Sequence, residues 1–267
     1  SENDRLRDLV QCATGGICGL LCGPRLTGHF HRGDVQPGPG QGADDSFQTL
    51  THGGRVPSRN RIDQTARAAH NRPMTFAARM TRSPDAYDPQ IGAEEAEGFG
   101  DLPTEVRGLI AGTAGCSPYL AGLLSKEGAW LQEAIDDPES ALAVVKGGLA
   151  DVPLDALPVA LRRAKRRSAL LIALADLGGV FTLEQVTENL SHLADACVDV
   201  ALRRLVAAEI ARDKLPGLTA EDAEIAGGMV SLAMGKGGAF ELNYSSDIDL
   251  ICLFDETRFA PNDFHDA

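Results

Sequence analysis

Positive charge is scarce in this chain: 25 Lys and Arg stand against 38 Asp and Glu in 267 residues, a formal net charge of −13. A surface of that sign repels phosphate backbones and anionic headgroups unless basic residues cluster, which argues against a general binder of nucleic acid or membranes. Any nucleotide site here must make its own local positive field, and a bound metal ion is the natural means. Long apolar runs are lacking too. Residues 15–23 are too short to span a bilayer, and they follow Asp4 and Asp8 without a small-residue cleavage site, so neither a secretory nor a transmembrane segment is expected. The six cysteines are spread thinly and fit a reducing compartment better than a disulfide framework. Cys12, Cys18 and Cys22, weighed as metal ligands, have five and three intervening residues and lack the paired spacing of zinc sites. No internal repeat is evident. The expectation is a soluble, cytoplasmic protein whose hydrophobic share of 43% suffices for a sizeable core.

What is present is unevenly distributed. Residues 1–73 hold 9 Arg, no Lys and 7 acidic residues, leaving 16 basic and 31 acidic for residues 74–267. The first stretch is rich in Gly, Pro and Arg and shows no sustained apolar period, so it is expected to be mostly disordered. Met74 begins a new texture, which suggests a natural start there and an upstream, non-native extension before it. Residues 74–100 read as a linker and residues 101–227 as consecutive helices. Ser117-Pro118 and Asp137-Pro138 each place a capping side chain before a proline at the first helical position. Thr182 and Gln185 form a capping box, with Phe181 placed to staple onto Val186. From there Val186, Leu190, Leu193, Cys197, Ala201 and Leu205 recur at steps of three or four, predicting one apolar stripe on a helix running to about Asp213, before Pro216-Gly217 stops the pattern. A second long helix is expected over Leu157–Leu177. It carries Arg162, Arg163, Lys165, Arg166 and Arg167, either as a phosphate or acidic-partner contact or, more simply, as a solvated face, since six positions in a row point all around a helix.

Near residue 228 the pattern changes. Two short apolar runs, residues 229–234 and 248–254, read as strands of a partly buried sheet, although two strands alone are marginal and the chain looks truncated after them. Between them lie Gly235-Lys236-Gly237-Gly238 and, further on, Ser246-Asp247-Ile248-Asp249-Leu250. Glycines let a backbone approach a phosphate closely, and Lys236 adds a charge; alone these are a weak signal. Asp247 and Asp249 carry more weight. At the two-residue period of a strand they face one side, roughly 6–7 Å apart, while Ile248 and Leu250 face the core. Two same-side carboxylates repel, and a divalent ion between them is the natural compensation. Hard carboxylate oxygens suit Mg²⁺ or Mn²⁺, and paired ions can clamp a phosphorus centre during in-line displacement. The bland alternative is an exposed strand start.

These residues carry a resemblance. A glycine pair followed some ten residues later by Asp-x-Asp resembles the polymerase-beta-type nucleotidyltransferase superfamily. More narrowly, residues 234–251, MGKGGAFELNYSSDIDLI, resemble the signature of the bifunctional glutamine synthetase adenylyltransferase/adenylyl-removing enzymes, and residues 115–120, 161–179 and 190–195 resemble that family's N-terminal helical region. Gly237 departs from the pattern, where the family usually has a larger apolar residue. The resemblance implies an α+β chain: a helical region, then over residues 228–267 the first strands of a polymerase-beta-like nucleotidyltransferase domain, incomplete at its C-terminus. It implies Asp247 and Asp249 as catalytic metal ligands for Mg²⁺ or Mn²⁺, and Gly235, Gly238, Lys236 and Ser246 as contacts to ATP or ADP. Glu241-Leu242-Asn243 resembles the first, adenylyl-removing domain, which implies phosphorolysis of AMP from a glutamine synthetase tyrosine with release of ADP. Glutamine synthetase is then the partner, with the PII signalling protein acting through regions outside this chain. The family's third carboxylate lies on a later strand that this chain does not reach, so at most a partial site is expected in it alone. Two other readings stay open: another nucleotidyltransferase of nitrogen signalling or a glycosyltransferase using Asp-x-Asp, and a non-catalytic helical interaction module.

Overall fold

The computed structural model describes residues 74–260. The expectations for residues 1–73, including Cys12, Cys18 and Cys22, lie outside the described residues. Seven α-helices come first: α1 (Phe76–Arg79), α2 (Pro89–Glu97), α3 (Thr104–Cys116), α4 (Pro118–Ala134), α5 (Pro138–Gly147), α6 (Leu157–Leu177) and α7 (Leu183–Ala211). A 3-10 helix over Ala220–Gly228 leads into β1 (Met229–Ala233), a single helical turn α8 (Gly235–Gly238), β2 (Leu250–Phe254) and a last 3-10 turn, Glu256–Arg258. The described residues are therefore α+β, mostly helical with one small sheet. Among the described residues no helix is long and apolar enough to cross a membrane.

The helix starts follow from local chemistry. Ser117 accepts from the Leu120 amide and Asp137 from the Ser140 amide, each with proline at the first helical position. Thr182 and Gln185 close both halves of a capping box, and Phe181 and Val186 are buried in the same apolar cluster. Helix α7 ends at Ala211, two residues before the expected Asp213, which takes a left-handed φ of 55°. Helix α6 has the bounds expected of it. Its residues from Ser168 to Ala175 are all buried, so this stretch is covered on every face and forms the centre on which α3, α4, α5 and α7 pack.

The segment 74–100, expected as a linker, is structured. Thr75 caps α1, Asp88 caps α2, and Phe76 and Phe99 are both buried in the main core. Helix α2 lies close on α3 because a β-carbon at Gly92 would meet the Ala111 carbonyl, so a larger residue there would push the helices apart.

The basic run of α6 is not uniformly solvated. Arg166 Nε and Arg167 Nε each donate to one carboxylate oxygen of Glu127, at 2.8 and 2.9 Å, and the Arg167 guanidinium lies 4.9 Å over the Trp130 ring. The acidic partner of these two arginines thus sits on α4 of the same chain. Glu127 is only 6% exposed, and burial alone would raise its pKa; the hydrogen bonds from Arg167 and Arg166 outweigh that and hold it below the ordinary value.

The two strands pair antiparallel, from Met229 opposite Phe254 to Ala233 opposite Leu250. Past one end the Met234 amide donates to the Asp249 carbonyl at 2.8 Å, and past the other Arg258 reaches back to Asp222 at 2.9 Å. Burial alternates along β1, but in β2 only Leu250 is partly covered, so the sheet is less buried than its apolar sequence suggests. Val230, Leu232, Ile251 and Leu253 form two adjacent cross-strand pairs, all of them exposed.

Candidate functional site

The stretch from Met234 to Leu250 joins the strands, and its geometry starts with its glycines. Gly235-Lys236-Gly237-Gly238 is a closed helical turn, with the Gly238 amide on the Met234 carbonyl and the Ala239 amide on the Gly235 carbonyl. Gly235 enters it at φ 54°, a conformation that favours glycine, and a β-carbon on Gly238 would collide with the Ala233 carbonyl. Only ordinary contact awaits a β-carbon on Gly237, its nearest neighbour being Ala233 Cβ at 3.6 Å, so this departure from the family pattern leaves the turn intact. Lys236 is exposed on the turn, and its carbonyl accepts from the Glu241 amide at 2.8 Å. Phe240 follows at φ 57°, its ring edge-on to His192 of α7 with centroids 5.3 Å apart.

Next the chain docks onto the helical body. Leu242 is fully buried in the main core, and its amide donates to Ser191 Oγ at 3.4 Å. Asn243 then organises a turn: its Oδ1 accepts from the Ser245 amide and from the hydroxyls of Ser245 and Ser246, each at 3.0 Å. The Asn243 amide donates back to Ser246 Oγ at 3.1 Å. Tyr244 donates its hydroxyl to Asp176 Oδ2 at 3.2 Å, near the C-terminal end of α6. Burial and the neighbouring Asp176 carboxylate push the Tyr244 phenol far above its ordinary pKa, so it stays a donor.

Asp247 and Asp249 come next, in the segment without regular structure that leads directly into β2. Ser246 is buried, Asp247 exposed, Ile248 half-buried against the main core, Asp249 exposed and Leu250 half-buried. The period-two alternation expected of a strand therefore holds one turn of the pleat before the strand begins, and both carboxylates share the outward side. The place a β-carbon would take on Gly235 lies 3.8 Å from Asp249 Oδ2, so the glycine turn and one carboxylate adjoin. Of the six residues read as site residues, Gly235 and Asp249 are brought together, and Lys236 and Asp247 are exposed close by in sequence. Gly238 packs closely against the Ala233 carbonyl of β1, and Ser246 faces inward with its hydroxyl engaged by Asn243.

As a donor set, two outward carboxylates suit a hard divalent cation, which takes about six oxygens. Among the described residues no group of three or more His, Cys, Asp and Glu gathers to hold a metal, so the pair by itself is not a complete donor set. Sequence reasoning missed the anchors Leu242, Asn243, Tyr244, Ser191 and Asp176. The Asn-x-Ser-Ser string signals the turn at Asn243, but nothing local signals that Tyr244 finds an acceptor 68 residues away.

A family model described as glutamate-ammonia ligase adenylyltransferase matches residues 108–264. The chain is similar to proteins named bifunctional glutamine synthetase adenylyltransferase/adenylyl-removing enzyme from several bacteria. It is 38% identical to one from a Bradyrhizobium species over 190 residues, 65% of this chain and 19% of that protein. It is 38% identical to one from Rhodopseudomonas palustris over 210 residues, 70% of this chain and 21% of that protein. For one from Caulobacter vibrioides the identity is 33% over 212 residues, 74% and 22% of the two chains. The match spans about a fifth of the length of these curated relatives. No solved structure matches the chain.

Proposed function

The chain belongs to the glutamate-ammonia ligase adenylyltransferase family, and from that premise we propose that residues 234–251 form the opening part of a metal-dependent nucleotidyltransferase site that acts on glutamine synthetase. The observation that carries this reading is the placement of Asp247 and Asp249, both outward on a segment whose other side, Ser246 and Ile248, is packed inward, with Asp249 beside Gly235. The activity assigned to this half is adenylyl removal. An oxygen of inorganic phosphate bonds to the adenylyl phosphorus as the bond from that phosphorus to the tyrosine oxygen breaks, giving ADP and unmodified glutamine synthetase. A divalent ion, Mg²⁺ or Mn²⁺, supplies charge neutralisation and polarisation of the phosphoryl oxygens when bound.

The chain's own residues have distinct parts in this proposal. Asp247 and Asp249 offer hard oxygen ligands from one side and leave the rest of the shell to water, substrate phosphate and a carboxylate from elsewhere in the protein. Gly235 keeps the backbone turn free of a side chain next to Asp249. Lys236, exposed on that turn, provides a cation for the nucleotide phosphates. Ser246 acts indirectly, holding the turn that precedes Asp247. Gly238 lets the helical turn close against β1, which brings Lys236 and Gly235 to the site edge. A polymerase-beta-like domain completed by further strands, a cytoplasmic location and a link to the PII protein belong to the same proposal.

In the whole-length protein that carries this chain, Asp247→Ala or Asp249→Ala should slow phosphate-dependent loss of AMP from adenylylated glutamine synthetase by about a hundredfold or more. An unchanged rate in both variants would refute the assignment. The exposed pairs Val230/Leu253 and Leu232/Ile251 favour a second reading, a non-catalytic interaction module. That reading predicts no aspartate-dependent heat when Mg²⁺-ATP is titrated into the protein.

A further inference from the structure

The segment that carries Asp247 and Asp249 is short, and what sets its orientation lies on the helical body. Leu242 plugs into the core, and two residues later Tyr244 reaches the end of α6, where Asp176 divides its carboxylate. Oδ2 accepts from the Tyr244 hydroxyl at 3.2 Å, while Oδ1 and the Asp176 carbonyl take Arg82 Nη2 at 3.4 and 2.7 Å. Asp176 is thereby held from the far side and presents a fixed acceptor to Tyr244. Ile248, between the two carboxylates, packs against the same core. Exposure alternates from Ser246 to Leu250, so a slip of one residue there would exchange inward and outward side chains, and the Tyr244 anchor stands three residues before Asp247.

We propose that Tyr244 is a positioning residue for the Asp247/Asp249 pair, its hydroxyl bond to Asp176 fixing the register and tilt in which the two carboxylates meet a divalent cation. The inference rests on the reading of that pair as metal ligands. It concerns a residue that touches neither metal nor nucleotide and acts through the backbone of residues 244–247. Replacing Tyr244 by Phe keeps the ring in its half-buried site and removes only the tether. Outer-shell contacts that orient metal ligands typically account for about 10–100-fold in metal affinity.

The test is a Mn²⁺ titration of phosphate-dependent AMP removal by the whole-length protein, comparing Tyr244→Phe, Asp176→Ala and Asp176→Asn with the unaltered sequence and with Asp247→Ala. Tyr244→Phe and Asp176→Ala are each expected to raise the half-saturating Mn²⁺ concentration about tenfold, with a smaller change in rate at saturating Mn²⁺. Asp176→Asn retains an oxygen acceptor for the phenol and is expected to stay within about threefold of the unaltered protein. A half-saturating concentration unmoved in Tyr244→Phe, whether or not its urea midpoint falls, overturns the proposal, because a merely structural tyrosine changes stability and not metal demand. Should Tyr244→Phe fail to accumulate folded, the contrast between Asp176→Ala and Asp176→Asn decides, and equal behaviour of those two overturns it. Full activity in Asp247→Ala would sink the reading of the metal site itself, a failure distinguishable from that of Tyr244.

Discussion

In the helical body, residues 74–228, several charged groups are paired within the fold and most helix starts are capped. Glu127 is clamped by two arginines, Glu139 is paired with Arg79, Asp176 is shared between Arg82 and Tyr244, and helix starts are closed by Thr75, Asp88, Ser117, Asp137 and Thr182. Residues 229–260 are built differently. Their inward residues Leu242, Tyr244 and Ile248 fasten the segment to the body, while Asp247, Asp249, Lys236 and the apolar pairs of the sheet stand outward and exposed. Under the proposed function the contrast separates scaffold from chemistry: groups that the fold does not consume are the ones assigned to a cation, a nucleotide or another protein surface.

Substitutions in the two regions should therefore differ in kind, and four of them bound the difference. Leu170→Ala, in the fully buried part of α6, should destabilise the chain by about 2–5 kcal/mol in urea unfolding. A loss under about 1 kcal/mol would mean that α6 is not the centre of the body. Glu127→Ala leaves Arg166 and Arg167 without their shared partner, and since both arginines are partly exposed the expected cost is about 2 kcal/mol. Because the folded-state pKa of Glu127 is depressed, this contribution is present above the ordinary glutamate range and is lost as pH falls through the depressed value. Urea midpoints measured from about pH 5 down to about pH 3 should fall more steeply for the unaltered chain than for Glu127→Gln. Thr182→Ala opens the capping box of α7 and should cost about 1 kcal/mol by the same measurement. Smallest is Ile251→Ala on the exposed sheet, expected to change stability by less than about 0.5 kcal/mol. If Ile251→Ala costs as much as Leu170→Ala, the sheet is part of the core and the comparison breaks.

Legibility in the sequence follows the range of the interactions. The caps at Ser117, Asp137 and Thr182 depend on residues three apart, and the starts of α4, α5 and α7 are readable from them. The outward placement of Asp247 and Asp249 was readable too, since a two-residue alternation needs only the run Ser246 to Leu250. Helices α1 and α2 were not readable. Ile91 of α2 is exposed, so that helix has little apolar stripe of its own and is held by its cap and by close approach to α3 through Gly92. The helical form of the glycine turn is not legible from its composition, since glycine disfavours helix, whereas hydrogen bonds to the Met234 and Gly235 carbonyls close it. Long-range pairs leave no local pattern: Glu127 with Arg166 and Arg167, 39 and 40 residues apart, and Asp176 with Tyr244.

The division between scaffold and chemistry is tested most directly by the double variant Asp247→Asn/Asp249→Asn in the whole-length protein, measured for both urea unfolding and phosphate-dependent release of ADP from adenylylated glutamine synthetase. The account predicts a urea midpoint in the absence of metal no lower than that of the unaltered protein, together with loss of ADP release. A lowered midpoint with ADP release intact would contradict it.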